Sequence, residues 1–567
     1  MAFGLPIRSR LPGSLLALLL LLAGPAFAAG SAAPGERRLT IFYSAEVHGA
    51  VEPCGCTSDP LGDISRFASL VRAAAKESGA VLLVDGGGLL YAEGGGSTRE
   101  RAADDARGAF LAAELERLGL AGAGLAETDL TGGLALVRPK RLASNFAPSP
   151  VVREPAIQIV GSGPGAVKVG VLGIADPALA ERLGAPSEDV VRAARRDADR
   201  LRQEGAVLVV LLAPVDKSLA RRVARAAAVD LVVMGRKAGA GLPRAERVAR
   251  DDADASGAGP AAFLLTPADE LQRVGRIDVV LRAGTRAALR DAGGPEAIGL
   301  RRDEVDRAIK QLDVELARWN TTGDGAAGND ASFVAAKRRE RDALSAERAT
   351  LAGPWVAPRE GSYFTNRLIP LRRSLPRDKA LVAAMKRLDL GIAAINTKSA
   401  QPPPRAEPGR AAFAGVAACA SCHAGAVAFW KKTVHAAAWK TLAGGKQADY
   451  KCVGCHLTGC GQVGGSSLGF TKGLEAVQCE NCHGPASIHV AEKGLEEPGT
   501  LRREVPETTC LACHNERHSD TFQYQAYLRD VLGPGHGAEA RKKLGAGPTA
   551  HALRAAAIAK ATRQSRD

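Results

Sequence analysis

The sequence predicts an α/β layered first half, a helical hairpin spacer, and a mainly α segment near the end that must wrap something other than its own side chains. Three observations carry this. Residues 38 to 290 alternate short apolar runs with helix-periodic stretches. Residues 296 to 351 read as a charged helix, a Gly/Asn/Asp break and a second charged helix. Eight of the eleven cysteines fall into four close pairs between Cys419 and Cys513. Roughly thirty residues separate successive pairs, too little chain to build an ordinary apolar core. At 567 residues the whole chain needs two or three domains.

The first 28 residues read as a signal peptide. Arg8 and Arg10 make a basic start, residues 15 to 22 are apolar, and Ala26, Phe27 and Ala28 form a small-x-small cleavage pattern. No later stretch holds about 18 consecutive apolar residues. The mature chain is therefore expected in the periplasm, with no integral membrane segment. The formal charge is +14, unevenly spread. Residues 411 to 537 are neutral, with eleven basic and eleven acidic side chains, whereas residues 538 to 567 carry seven against two. An exported chain without a basic stripe of interleaved aromatics is not expected to bind nucleic acid.

In the first half, "RLTIFYSA", "AVLLVDGGG", "AVKVGVLGIA", "AVLVVLLAP" and "DLVVMGR" read as strands. "ISRFASLVRAAAKES", "DARGAFLAAELERLG" and "SEDVVRAARRDADRLRQEG" read as helices. After the hairpin, residues 362 to 396 read as one more strand and a helix. The Pro-rich stretch 397 to 411 is a linker. The Ala-rich basic tail from 538 reads as a loose helix or a disordered end.

The four cysteine pairs are "CASCH" (Cys419, Cys422, His423), "CVGCH" (Cys452, Cys455, His456), "CENCH" (Cys479, Cys482, His483) and "CLACH" (Cys510, Cys513, His514). C-x-x-C-H is the attachment pattern of c-type haem. Two thiols bond the vinyl groups of one haem, and the adjacent histidine binds its iron from the proximal side. Structural zinc needs paired thiolates but no histidine after each pair. The reading is therefore four covalent haems. Candidate distal ligands are His435, His489, His536 and His518, while His551 sits in the basic tail. If only three of these bind iron, one haem is five-coordinate and open to a small molecule.

"CASCHAGAVAFWKKTVHAAAWKTL", "DYKCVGCHLTGCG", "GFTKGLEAVQCENCHGPASIH" and "TTCLACHNERHSDTFQYQAYL" resemble the tetrahaem cytochrome c family that accepts electrons from hydroxylamine oxidoreductase. The resemblance covers about residues 412 to 537. It implies a helical, haem-packed fold, mostly bis-histidine irons, one haem without a distal ligand, and electron transfer.

The first half resembles the 5'-nucleotidase-like branch of the metallophosphoesterases, which bind two metals and activate a water. Glu46 and His48 in "EVH" stand at the first metal motif. The other positions depart from the family. Gly88 stands where a bridging carboxylate belongs, and Leu125 and Ala126 replace an Asn and a His, although Glu127 and Asp129 remain. Pro214, Arg236 and Ala238 replace the later histidines. His48 is the only histidine in the first 410 residues, so the resemblance implies an inactive fold with Glu46 and His48 as a metal-site remnant. Cys54 and Cys56 are too close for an unstrained mutual bridge. They leave open a pairing with Cys460, a metal held with His48, or reduced thiols.

The expected function is that of an exported tetrahaem cytochrome relaying electrons between periplasmic redox proteins, with the first half as a scaffold or docking domain. Two alternatives stand beside it. One is an oxidoreductase acting on a small nitrogen or oxygen species at an open haem. The other is a metal-dependent phosphoesterase in the first half.

Overall fold

The structure is a computed structural model that describes residues 35–564, apart from residue 54 and residues 237–238, 253–258, 283–288, 322–330 and 495–498. The expected signal peptide, Cys54 and Ala238 lie outside the described residues.

In chain order the strands are β1 (Arg37–Ser44), β2 (Val81–Asp85), β3 (Leu120–Ala123), β4 (Arg141–Leu142), β5 (Val152–Arg153), β6 (Ala156–Val160) and β7 (Val167–Gly173). They continue as β8 (Leu208–Ala213), β9 (Leu231–Met234), β10 (Leu242–Ala249), β11 (Ala261–Thr266), β12 (Arg273–Leu281), β13 (Arg290–Asp291) and β14 (Tyr363–Pro370). The helices of the first 400 residues are α1 (Ile64–Ser78), α2 (Arg101–Arg117), α3 (Ala180–Leu183), α4 (Val190–Gln203), α5 (Lys217–Ala226), α6 (Pro295–Thr321), α7 (Ala331–Thr350) and α8 (Lys379–Ser399). Two six-stranded sheets run β13-β14-β12-β1-β2-β3 and β10-β11-β9-β8-β7-β6.

The sheets stack face to face, which explains the continuous apolar runs. A strand buried on both faces needs apolar side chains at every position. Ile41 and Tyr43 of β1 point into the inter-sheet core with Val169, Val171 and Leu212. Phe42 between them points the other way, onto Phe67 of α1 and Leu111 of α2. On the far side, Val209 and Leu211 of β8 pack on Leu201 of α4 and Val223 of α5. Each such buried side chain contributes about 1.5–3 kcal/mol. The result is a four-layer sandwich, helix on sheet on sheet on helix. Tyr43 packs flat over Gly275 of β12, where a Cβ would collide with its ring. Its hydroxyl donates to Asn366 Oδ1 of β14 at 2.8 Å.

Two features differ from the sequence reading. The hairpin α6–α7, expected as a spacer after residue 290, is an insertion between β13 and β14, which are parallel neighbours in one sheet. The sheet therefore runs on to Pro370, with α8 packed over it through Leu381 and Met385. The basic tail is also ordered: a helix spans Ala550–Gln564, and Ala561 O accepts from Arg372 Nη1 at 3.1 Å.

Residues 412 to 537 are short helices and turns. Among the described residues the buried members of the four apolar core clusters all lie at or before Met385. Among the described residues this segment buries only small or isolated apolar side chains such as Val427, Val453, Leu457 and Ala526. No helix among the described residues is long and apolar enough to cross a membrane.

Candidate haem centres and the remnant site

Each C-x-x-C-H occupies about one helical turn, which puts its two thiols on one face. The N–H of His423 donates to Cys419 O at 2.9 Å, and that of His514 to Cys510 O at 2.8 Å. The second motif forms the helix Tyr450–His456, where Asp449 caps the N-terminus. The third forms Cys479–His483, where Asn481 Oδ1 accepts from the Gln478 N–H at 3.1 Å. All four motifs open onto one cavity of about 3470 Å³. An ordinary small-molecule site is about 300–1,000 Å³. The space is where a core would be, in a segment that has none.

Three of the four motif histidines have a tethered Nδ1. His456 Nδ1 lies 2.7 Å from Ala438 O, His483 Nδ1 2.8 Å from Arg502 O, and His514 Nδ1 3.1 Å from Ser519 Oγ. Tying up Nδ1 fixes the tautomer and leaves Nε2 as the ligating atom. His514 is further held by Phe522, whose ring stacks on it at 5.4 Å, and Tyr527, edge-on at 5.0 Å. These outer partners were not picked out in the sequence. The only signal was the aromatic run "TFQYQAY" after the fourth motif.

Two imidazoles bound at about 2 Å on opposite sides of one metal have ring centres about 6 Å apart. His423 and His489 stand 6.5 Å apart, and His435 and His514 stand 6.1 Å apart. His435 follows the first motif yet faces the histidine of the fourth. Burial, aided by His514, pushes its imidazole down to about 4, so it is neutral and can act as a ligand. Burial, with His483 close by, also lowers His536. The Nδ1 of His536 is buried without a hydrogen-bond partner. His456 and His518 line the cavity, and neither has a facing histidine ring among the described residues. The Cys419 and Cys479 thiols lie close enough to shift one another's titration, as do those of Cys455 and Cys513. The first motif thus lies beside the third, and the second beside the fourth. The cavity, the tethered Nδ1 atoms and the orphaned His536 nitrogen all fit covalently bound haem.

The remnant site lies at the end of β1. Glu46 and His48 both adopt left-handed backbone, with φ 51 and 54. His48 Nε2 is 3.2 Å from Glu46 Oε2. Burial works against charge on His48, but Glu46, then Glu270 and Asp269, outweigh it and raise the imidazole. Gly88 has φ +74, and a Cβ built there would collide with Glu46 Oε1. The Glu46 carboxylate occupies the space a side chain at 88 would need. Asp129 is structural: it accepts from the N–H groups of Leu89 at 3.0 Å and Leu90 at 3.1 Å and pairs with Arg141 at 3.2 Å. Glu127 is exposed beside Arg182, and Arg236 pairs with Asp176 at 3.0 Å. Asp85 is fully buried and pushed up to about 7, chiefly by burial, although Ser44 and the Gly87 N–H donate to it. No group of three or more His, Cys, Asp or Glu residues among the described residues is arranged to hold a metal ion. Cys460 is half-buried, and burial raises its thiol.

Comparison with known proteins divides along the same line. Residues 418–484 match the family described as cytochrome c554 and c-prime, which implies covalently bound haem c. The cytochrome c-554 of Nitrosomonas europaea is 39% identical over 136 residues, which is 18% of this chain and 58% of that protein. The chain thus spans less than two thirds of that relative's length. Among solved structures, a 5'-nucleotidase precursor from Thermus thermophilus has TM-score 0.41 at 14% identity, over 63% of this chain and 59% of its own. A calcineurin-like phosphoesterase from Bacillus subtilis has TM-score 0.34 at 17% identity, over 44% of this chain and 87% of its own.

Proposed function

We propose that this chain is an exported tetrahaem c-type cytochrome that carries electrons between periplasmic redox proteins, with the sandwich as its scaffold. The observation that carries this reading is the single cavity lined by all four C-x-x-C-H motifs. Cys419 with Cys422, Cys452 with Cys455, Cys479 with Cys482, and Cys510 with Cys513 hold one haem each. His423, His456, His483 and His514 are the proximal ligands. His489 serves the first haem and His435 the fourth, as the ring spacings support; His536, whose imidazole His483 helps to lower, serves the third. Bound haem supplies the one-electron couple. The chain supplies axial nitrogen, burial and the hydrogen bonds to Nδ1, which tune each potential.

A second reading rests on His456, which has no facing histidine ring among the described residues. The second haem is then five-coordinate and open to a small nitrogen or oxygen species. Electron paramagnetic resonance of the purified holoprotein tests both readings. Three low-spin signals and one high-spin signal that shifts with nitric oxide fit the assignment with an open second haem. Four low-spin signals indifferent to nitric oxide leave the relay and remove the open site. Fewer than four haems by pyridine haemochrome assay removes the tetrahaem reading. The Glu46–Gly88 collision and the absence of a metal-holding group among the described residues disfavour phosphoesterase activity. Robust turnover with added manganese that is lost in His48→Ala would restore it.

A further inference from the structure

The sandwich and the haem segment meet along one face, the face that carries the remnant site. After β1, Glu52 pairs with Lys446, and the Ser58 N–H donates to Asp520 Oδ1 at 2.9 Å. From α2, Arg107 lies 2.5 Å from Asp449, and Asp104 lies 2.7 Å from Lys451. Glu270 pairs with Arg517. Burial works against the charge of Lys446, yet Glu52 and Asp389 outweigh it and raise the ammonium. The last helix straps both halves: Arg554 Nη1 donates to Cys56 O at 2.6 Å, and the His551 N–H donates to Asp530 at 2.8 Å.

These contacts reach the flanks of the second motif, at residues 446 to 451, and of the fourth, at 517 to 530. The other flank differs. Lys431, Lys432 and Lys440, after the first motif, and Lys472, before the third, are exposed and lie outside the cavity lining. None of these four holds an ion pair among the described residues. Lys446, Lys451 and Arg517, which meet the sandwich, are matched by its acids, and these four lysines are unmatched.

We propose that electrons enter and leave through the flank of the first and third motifs, by contact with a partner that presents an acidic surface, because the sandwich and the last helix close the other flank. This rests on the electron-transfer reading above. Complementary charge steers such encounters and makes their rate fall with salt.

The test uses full-length reduced holoprotein and ferricyanide, an anionic oxidant that takes one electron from a ferrous haem and becomes ferrocyanide. Stopped-flow oxidation should slow as salt is raised. Lys431→Glu/Lys432→Glu/Lys440→Glu should lower the low-salt rate about tenfold and abolish the salt dependence. Lys451→Glu/Arg517→Glu loosens the closed face. It should enlarge the particle in small-angle X-ray scattering and expose amides 46 to 63 to hydrogen exchange, without slowing ferricyanide. A parent oxidised at a rate that neither salt nor the lysine variant alters overturns the proposal alone. So does a Lys451→Glu/Arg517→Glu protein with unchanged dimensions and protection. A parent that ferricyanide does not oxidise at all overturns the electron-transfer reading, and the flank assignment with it.

Discussion

Replacing Asp129 by asparagine removes the counter-charge of a guanidinium with no access to water. Both side chains of the Arg141–Asp129 pair are 0% exposed, and the same carboxylate accepts four backbone N–H groups, those of Leu89 and Leu90 on Oδ1 and those of Gly88 and Ala126 on Oδ2. Breaking one side of a buried pair costs about 3–5 kcal/mol, because the surviving charge stays desolvated. Asparagine keeps Oδ1 as an acceptor for Leu89 and Leu90 but no longer accepts from Gly88 and Ala126, so the loss should reach at least the lower end of that range, about 3 kcal/mol. In a unit this large, each 1 kcal/mol moves the melting midpoint by about 2 °C, so the sandwich transition should fall by about 6 °C. Differential scanning calorimetry on the holoprotein measures this, with Soret absorbance reporting whether the haem segment stays intact. Asp129→Asn/Arg141→Met should recover most of the loss, since a buried pair replaced by apolar groups of similar volume is often neutral. An unmoved midpoint in the single variant, or a double variant no better than the single, refutes this reasoning.

Stability should also respond to pH through Asp85. Its folded pKa of about 7 lies above that of an unfolded aspartate, about 3.9, so its stabilising contribution is full below that value and is lost as pH rises to about 7. Asp85→Asn should flatten this part of the denaturation profile by up to about 4 kcal/mol; parallel profiles for parent and variant would show that Asp85 does not titrate there. His489→Ala should turn one low-spin signal high-spin while leaving the haem count at parent level, and an unchanged spectrum would remove His489 as a ligand. Cys510→Ser/Cys513→Ser should lower the haem count by one in the denatured protein, and an unchanged count would show that the fourth motif carries no haem.

Much of the sandwich was legible because its signals are local. Asp63 caps α1 and Gly79, in left-handed backbone, ends it, so the helix matches its sequence reading. The strands buried on both faces announced themselves as apolar runs. β10, at a sheet edge, did not, since "LPRAERVA" is interrupted by a proline and three charged residues and only Val248 is buried. Strand order was not legible either. Nothing local tells β14 to pair with β12 across an insertion containing α6 and α7. In the haem segment the attachment residues could be read from spacing alone, because the thiols and the proximal histidine must come from one helical turn. The distal partners could not. His435 is twelve residues after His423, yet it faces His514, because an axial ligand is chosen by folding in space.

The Glu46–Gly88 contact has a consequence for sequence change. A side chain at 88 would meet the end of the Glu46 side chain, which would have to turn away, and would have to hold the left-handed backbone that Gly88 adopts. An aspartate introduced at 88 alone meets the Glu46 carboxylate, and shortening Glu46 alone leaves a gap with no carboxylate to fill it. The two positions are therefore coupled, and a side chain at 88 is admitted most cheaply when residue 46 is shortened with it.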